Sequence, residues 1–383
     1  MKTIFNDSRP RVLLLGDYSN CHRSLYLALK RRGWDVTQMS AGSSWMNVDR
    51  EIDISRSPGK IGGLKLYVRA RYGDLARQMS GYDIVAIHDL NFLQLKPVRL
   101  RELFDKLKRG NGSIFYTAMS TDIAFLDMLE AKDSPLRYSE WFIEGRPSPM
   151  YLADPSAWDR WHQRDLVNYQ RYALDNIDGA VSALYEYHLG MERALGADRV
   201  FYGGIPIDLE ALGVKETPVS PDLTGKVKLF LGRDRYRVLQ KGSDLLLEAA
   251  RRVTEARPRD VEFKLVENLP FNEFKTMLND SHIVLDQVYS YTPATTALMA
   301  MAMGHVTVSG AEPEYYDFIG AGDNRPIVNA PLDVDELTRV LLALVDDRDR
   351  IAHTSRRSRE FLLKHNASDL VADRFIHAWM SKI

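Results

Sequence analysis

The chain alternates short apolar runs with longer stretches of helical spacing. Arg11-Val12-Leu13-Leu14-Leu15-Gly16 is an apolar run closed by glycine. After the polar turn Asp17-Tyr18-Ser19-Asn20, Leu25, Leu27, Ala28 and Leu29 give His22–Arg32 a helical pattern that Gly33 ends, before Trp34-Asp35-Val36-Thr37 opens the next strand. The same grammar predicts strands at 83–88, 112–117, 177–182 and 200–203, with a helix over 98–107. It restarts with strands at 227–232, 261–266, 283–286 and 306–309, and helices over 243–256, 271–279 and 293–303. Strands alternating with helices at this spacing define an α/β fold, here two Rossmann-like doubly wound parallel sheets. Between them, Thr217-Pro218-Val219-Ser220-Pro221 punctuates the chain. A ligand site is expected in a cleft between the halves, at strand carboxyl ends.

Length agrees with two domains: 383 residues at roughly 150 per domain. The division expected is 1–205, 206–365 and a last segment, 366–383, returning to the first domain. No apolar run reaches the roughly 18–20 residues that span a bilayer, and Met1–Asp7 lacks the apolar region of a signal peptide, so a cytoplasmic location is expected. One cysteine, Cys21, excludes an intrachain disulfide and a CxxC zinc site.

Charge changes the picture locally. The 51 basic and 52 acidic residues nearly cancel. Yet residues 56–109 hold 12 Lys or Arg against 5 Asp or Glu, a net +7. Leu64, Leu66, Val68 and Leu75 are interleaved there with Lys60, Lys65, Arg69, Arg71 and Arg77. Two readings stay open: a pair of solvated helix faces, or a surface for an anionic membrane or acceptor.

The chain lacks a GxxxxGK[ST] loop, a GxGxxG fingerprint, a GxSxG elbow and an HExxH helix. This argues against P-loop, dinucleotide, α/β-hydrolase and zincin chemistry. What it has is a cationic loop at a strand end. Arg233, Arg235, Arg237 and Lys241 crowd the approach to a helix start, which reads first as a place for an anion such as a diphosphate and second as long side chains pointing outward into water. A second polar loop, 286–292, leads to a helix for which Thr292 is the expected N-cap and Pro293 the first residue. Trp141, Phe142, Trp158, Trp161, Tyr169 and Tyr172 make 141–172 aromatic, which reads first as anchoring of a long segment and second as sugar stacking.

Gly232-Arg233, Lys241-Gly242 and the helix ending Ala300-Met301-Ala302-Met303-Gly304 resemble the carboxyl-terminal domain of family 4 glycosyltransferases of the GT-B fold. Pro206-Ile207-Asp208 resembles their interdomain segment. The resemblance implies a nucleotide-sugar donor whose diphosphate is held by Arg233 and Lys241, with Arg235 or Arg237 as substitutes. It implies donor nucleotide and sugar contacts from Glu267, Asn268, Tyr291, Thr292 and Thr295, with Tyr291 and Met299 standing where the family has two glutamates. Met119 stands where such proteins often carry a histidine near the reacting sugar, so His88, Asp89 and Asp122 are the candidate catalytic groups. Gly16, Ser19, Asn20 and His22 are the candidate acceptor contacts.

The implied activity is metal-independent glycosyl transfer, hexosyl and retaining, to a glycan or lipid-linked acceptor in surface polysaccharide biosynthesis. No cofactor and no nucleic acid partner is expected, since the nucleotide sugar is a substrate. Peripheral contact with the inner membrane face fits the basic stretch. A nucleotide-sugar epimerase of the same architecture, or a non-catalytic partner subunit, remains the alternative.

Overall fold

The computed structural model describes residues 9–42, 46, 49–214 and 221–382. The segment 1–7 and residues 217–220 of the proline-punctuated stretch lie outside the described residues. In chain order the strands are β1 Val12–Leu15, β2 Val36–Ser40, β3 Ile52–Asp53, β4 Ile84–Ile87 and β5 Ser113–Ala118. Then come β6 Phe142–Ile143, β7 Arg146–Pro147, β8 Gly179–Ser182 and β9 Val200–Tyr202. The last five are β10 Val227–Arg233, β11 Val261–Glu267, β12 Ile283–Leu285, β13 Val306–Ser309 and β14 Val328–Asn329.

Two compact units result. One comprises Met1–Met128, Arg160–Pro206 and Val371–Ile383; the other comprises Leu129–Asp159 and Ile207–Leu370. The first holds a parallel sheet in the order β3-β2-β1-β4-β5-β8-β9, the second a parallel sheet in the order β11-β10-β12-β13-β14. Strands covered on both faces can be apolar throughout, which is why Val12–Leu15 and Ile84–Ile87 read as unbroken apolar runs.

The two faces of the first sheet separate by alternation. Leu13, Leu15, Val85 and Ile87 pack with Leu100, Leu103, Phe104 and Leu107 of the helix Pro97–Gly110. Val12, Leu14, Ile84 and Ala86 pack with Leu25, Ala28 and Leu29 of the helix Cys21–Arg31. That second face is completed from far along the chain by Val371, Ala372, Phe375, Ala378 and Trp379. Arg374 donates to the Gly203 carbonyl at 3.0 Å, and Asp373 accepts from Arg32 at 3.0 Å. Phe375 lies so close to Gly203 that a Cβ there would be 2.5 Å from its ring, so the glycine is needed for the helix to seat. Each large side chain buried in this way contributes about 1.5–3 kcal/mol.

One segment departs from the division drawn from sequence. Leu129–Asp159 lies within 1–205 but packs with the second unit. It forms the antiparallel hairpin β6–β7, and Ile143 packs on the core of the second sheet. Trp158 stands 5.0 Å from both Trp141 and Phe142, ring centre to ring centre, and both tryptophans are buried. Trp141, Phe142 and Trp158 thus form a small core of this segment, whereas Tyr169 and Tyr172, from the same aromatic stretch, pack on the core of the first unit.

Candidate functional site

In the second unit the strand order reverses between β10 and β12, and ligand sites of doubly wound sheets lie outside the strand carboxyl ends at such a point. Gly232 lets β10 pass beneath Phe274; a Cβ there would be 2.2 Å from its ring. Arg233 follows, opposite Glu267 in the parallel register, and its Nε donates to Glu267 Oε1 at 2.7 Å. Arg235 Nε reaches the other oxygen, Oε2, at 3.3 Å. The Arg233 hydrogen bond holds the Glu267 carboxyl below the usual range. Arg237 donates to Gln240 Oε1 at 2.8 Å. Asn268, in the left-handed region at φ 51°, accepts from the Arg235 N–H at 3.3 Å.

Lys241 ends a single turn of helix, Val238–Lys241, that precedes the longer helix Ser243–Ala256. Gly242 separates the two at φ 64°. Lys241 Nζ lies 3.2 Å from Asp286 Oδ1, and the Asp286 side chain is buried. The other carboxylate oxygen accepts from Ser309 Oγ at 3.0 Å and from the Ala294 N–H at 3.2 Å. Asp286 thus joins the ends of β12 and β13 to the cationic loop.

That bond also corrects the expected helix start. The helix is Thr295–Ala302 with Ala294 as its N-cap, not Thr292. Thr292 is buried, and its carbonyl accepts from Gln287 Nε2 at 3.0 Å and Ser290 Oγ at 2.9 Å. Asp286 takes the N–H at Ala294 that a helix with Thr292 as N-cap would have spent elsewhere. Thr295 opens the helix, whose first N–H groups have no intrahelical partner.

Tyr291 is fully buried, and its hydroxyl accepts the Arg137 N–H at 2.7 Å. The Arg137 guanidinium pairs with Glu314 and, at 2.6 Å, with Glu312. Glu312 also accepts from Tyr138 at 2.6 Å and from Asn329 at 2.8 Å. Sequence reasoning missed Asp286, Glu312 and Arg137 as members of this constellation. Only Asp286 carried a signal, a lone carboxylate closing a wholly apolar strand.

In the first unit the strand order reverses between β1 and β4. Gly16, just past β1, has φ 85°, and a Cβ on it would be 1.8 Å from His88 Nδ1. Ser19 and Asn20 follow in consecutive left-handed conformations, φ 50° and 61°. The structure gathers Gly16, His22 and His88, with His22 and His88 ring centres 6.3 Å apart. Yet His22 is buried: one ring nitrogen contacts the Gly16 carbonyl at 2.8 Å and the other Thr117 Oγ1 at 3.0 Å. Burial lowers its pKa to about 3. His22 therefore links β1 to β5.

Asp122 is buried too, accepting from the Tyr116 hydroxyl at 2.7 Å and the Phe125 N–H at 2.9 Å. Burial raises its pKa to about 6, with a smaller upward push from Asp89. Asp89 accepts the Asn91 N–H at 2.7 Å. Asp17, which sequence reasoning left as part of a turn, accepts the His22 N–H at 3.0 Å, and burial raises its pKa to about 7. Such groups can exchange protons near neutrality. Among the described residues, no three His, Cys, Asp or Glu side chains are grouped to hold a metal ion.

The two sheets and their order define the class: the chain has the GT-B fold of two Rossmann-like units. No family model matches the chain, and no curated protein does. Solved structures do. A putative UDP-N-acetylglucosamine 2-epimerase from Listeria monocytogenes superposes with a TM-score of 0.58 at 14% identity, over 98% of this chain and 96% of that one. The Anabaena HepE protein in complex with UDP-glucose gives 0.59 at 11%, over 97% and 100%. A glycosyltransferase from Rickettsia africae gives 0.55 at 12%, over 97% and 98%. At these identities the likeness is one of fold.

Proposed function

We propose that this chain is a glycosyltransferase that moves a sugar from a nucleotide-sugar donor to a glycan or glycolipid acceptor. The observation that carries the reading is the set of cations at the carboxyl edge of the second sheet. Among the described residues, Arg233, Arg235 and Lys241 pair there with two carboxylates, Glu267 and Asp286. The surplus positive charge lies at the point where strand order reverses, the place a diphosphate would occupy. Breaking the sugar–phosphate bond builds negative charge on that diphosphate. Arg233 and Lys241, with the helix start at Thr295, would stabilise it without a metal ion, an effect on the order of 10²–10³ in rate for one such donor.

Donor nucleotide and sugar contacts are assigned to Glu267, Asn268, Tyr291, Thr292 and Thr295, acceptor contacts to Gly16, Ser19, Asn20 and His22, and proton transfer to His88, Asp89 or Asp122. Because the His22, Asp122 and Tyr291 side chains are buried and already bonded, and Thr292 is buried beside Tyr291, these four act in this scheme by positioning β1, β5, the 286–294 loop and the residues that follow them. The transfer is hexosyl with retention, in surface polysaccharide biosynthesis, by a cytoplasmic protein in peripheral contact with an anionic membrane. The likeness to a solved structure holding UDP-glucose supports a uridine nucleotide as the first donor to test.

A thermal-shift series with UDP, GDP, ADP, CMP and their sugar conjugates tests the reading. A ligand at a hundredfold excess over its dissociation constant stabilises the native state by about 2.7 kcal/mol. A rise in Tm with one nucleotide class is expected, and no rise with any of them overturns the proposal. The likeness to a putative epimerase gives the second reading. Interconversion of a nucleotide sugar in the absence of acceptor would favour it.

A further inference from the structure

The helix Gly59–Tyr72 buries one face and leaves the other open. Leu66 and Ala70 enter the core of the first unit. Gly62 packs on the Ser57 carbonyl, where a Cβ would be 1.8 Å away. On the opposite side, Ile61 is 72% exposed, Leu64 50%, Val68 47% and Tyr72 70%. At about 100° per residue these four fall within one narrow stripe along the helix. Lys65 lies beside the stripe, with Arg69 further round the same flank and Lys60 and Arg71 on the other. The helix contains no acidic residue. Glu102 pairs with Arg71 and Asp74 with Arg69, while Lys60 and Lys65 make no ion pair among the described residues. Val98, 72% exposed, begins the neighbouring helix Pro97–Gly110, next to Arg99, whose guanidinium reaches the Gly63 carbonyl at 3.5 Å.

From this arrangement we infer that the outward face of Gly59–Tyr72 is a docking surface for an anionic lipid bilayer. An apolar stripe rimmed on both sides by cations is the pattern of a helix lying in the membrane interface, apolar side chains below the headgroups and cations among them. Charge chooses between occupants. A second copy docked by a two-fold axis would bring the same cationic rim against itself, whereas an anionic lipid surface complements it. The inference deepens the peripheral membrane contact within the proposed function and rests on that reading for its biological sense.

The test is sedimentation of the full chain with vesicles of phosphatidylcholine containing about 30% phosphatidylglycerol, against phosphatidylcholine alone. Binding to the anionic vesicles, weakened by salt, is expected. Leu64→Glu with Val68→Glu should lower it at least about tenfold, and Lys60→Gln or Lys65→Gln about fivefold each. Both sites are exposed, so an unchanged Tm certifies the variants as folded. Absence of binding at low salt, or equal binding by the Glu variants, overturns the inference. So does a dimer, seen by ultracentrifugation, that the Glu variants dissolve without any vesicle binding. A nucleotide thermal shift on the same samples keeps the two readings apart. A shift without vesicle binding removes only the docking surface, and vesicle binding without a shift removes only the donor assignment.

Discussion

Lys241 Nζ and Asp286 Oδ1 stand 3.2 Å apart, with the carboxylate buried and the ammonium partly open. The lysine is thus both the partner of a buried charge and the cation offered to a ligand. Lys241→Ala should lower stability by about 1–3 kcal/mol through the unpaired carboxylate, and weaken nucleoside diphosphate binding at least about tenfold. Lys241→Ala combined with Asp286→Asn should recover part of the stability and none of the binding. Chemical denaturation and nucleotide titration of the three variants separate the two effects.

Arg233 is paired differently, with a carboxylate at the sheet edge that also serves Arg235. Arg233→Ala should leave folding nearly intact, because Glu267 keeps Arg235 and remains near water. Affinity for the diphosphate should nevertheless fall by about tenfold or more, the loss of one charge-assisted bond. Calorimetric titration with the nucleotide found in the thermal-shift series reads this directly. Unchanged affinity would remove Arg233 from the donor site.

Tyr291 carries its hydroxyl to a backbone N–H, that of Arg137. Tyr291→Phe keeps the ring against Tyr138, centred 4.8 Å away, and leaves that N–H without its acceptor. Arg137 is exposed and its N–H can turn to water, so a cost of about 1 kcal/mol, that of one lost hydrogen bond, is expected. The midpoint of urea unfolding should fall with an unchanged slope.

Asp17 gives a pH dependence with a definite sign. Its carboxyl titrates at about 7 in the folded protein, against 3.8 ordinarily, because burial disfavours the charge. From about pH 4 to 7 the native state holds a proton that the unfolded chain has lost, so this group's contribution to stability is present at low pH and disappears as pH rises. His22, lowered to about 3 by burial, acts in the opposite sense: its contribution is lost as pH falls from 6.5. Comparing Tm of the wild type with Asp17→Asn from pH 4 to 8 isolates the first effect. The wild type should lose ground steadily relative to the variant as pH rises, and parallel curves would contradict the assignment.

Much of the fold was legible because covered parallel strands must be apolar on both sides. Runs such as Leu229–Leu231 and Ile283–Leu285 have no other economical reading. The helices Ser243–Ala256 and Phe271–Asn279 were found with both ends in place. Local chemistry misled where a tertiary bond outranked it: Thr292 has the composition of an N-cap, but Asp286, six residues earlier, bonds the Ala294 N–H and starts the helix later. His22, whose helix begins beside a polar turn, could be a capping or packing residue as readily as an acceptor contact. Its ring turns inward to Thr117, a residue 95 positions away that no periodicity brings near. The affiliation of Leu129–Asp159 was equally hidden. It depends on Arg137 finding Glu312 and Glu314, contacts that exist only once the second sheet has formed.

The helix Ser368–Met380 imposes an order on the birth of the molecule. As the polypeptide leaves the ribosome, residues 9–206 emerge with Val12, Leu14 and Val181 on a sheet face whose cover, Phe375 and Trp379, has not yet been translated. The larger part of the second unit, Ile207–Leu370, must be threaded out in between. A nascent first unit therefore carries an open oily face through the synthesis of more than 160 further residues, the interval in which a chaperone has something to hold.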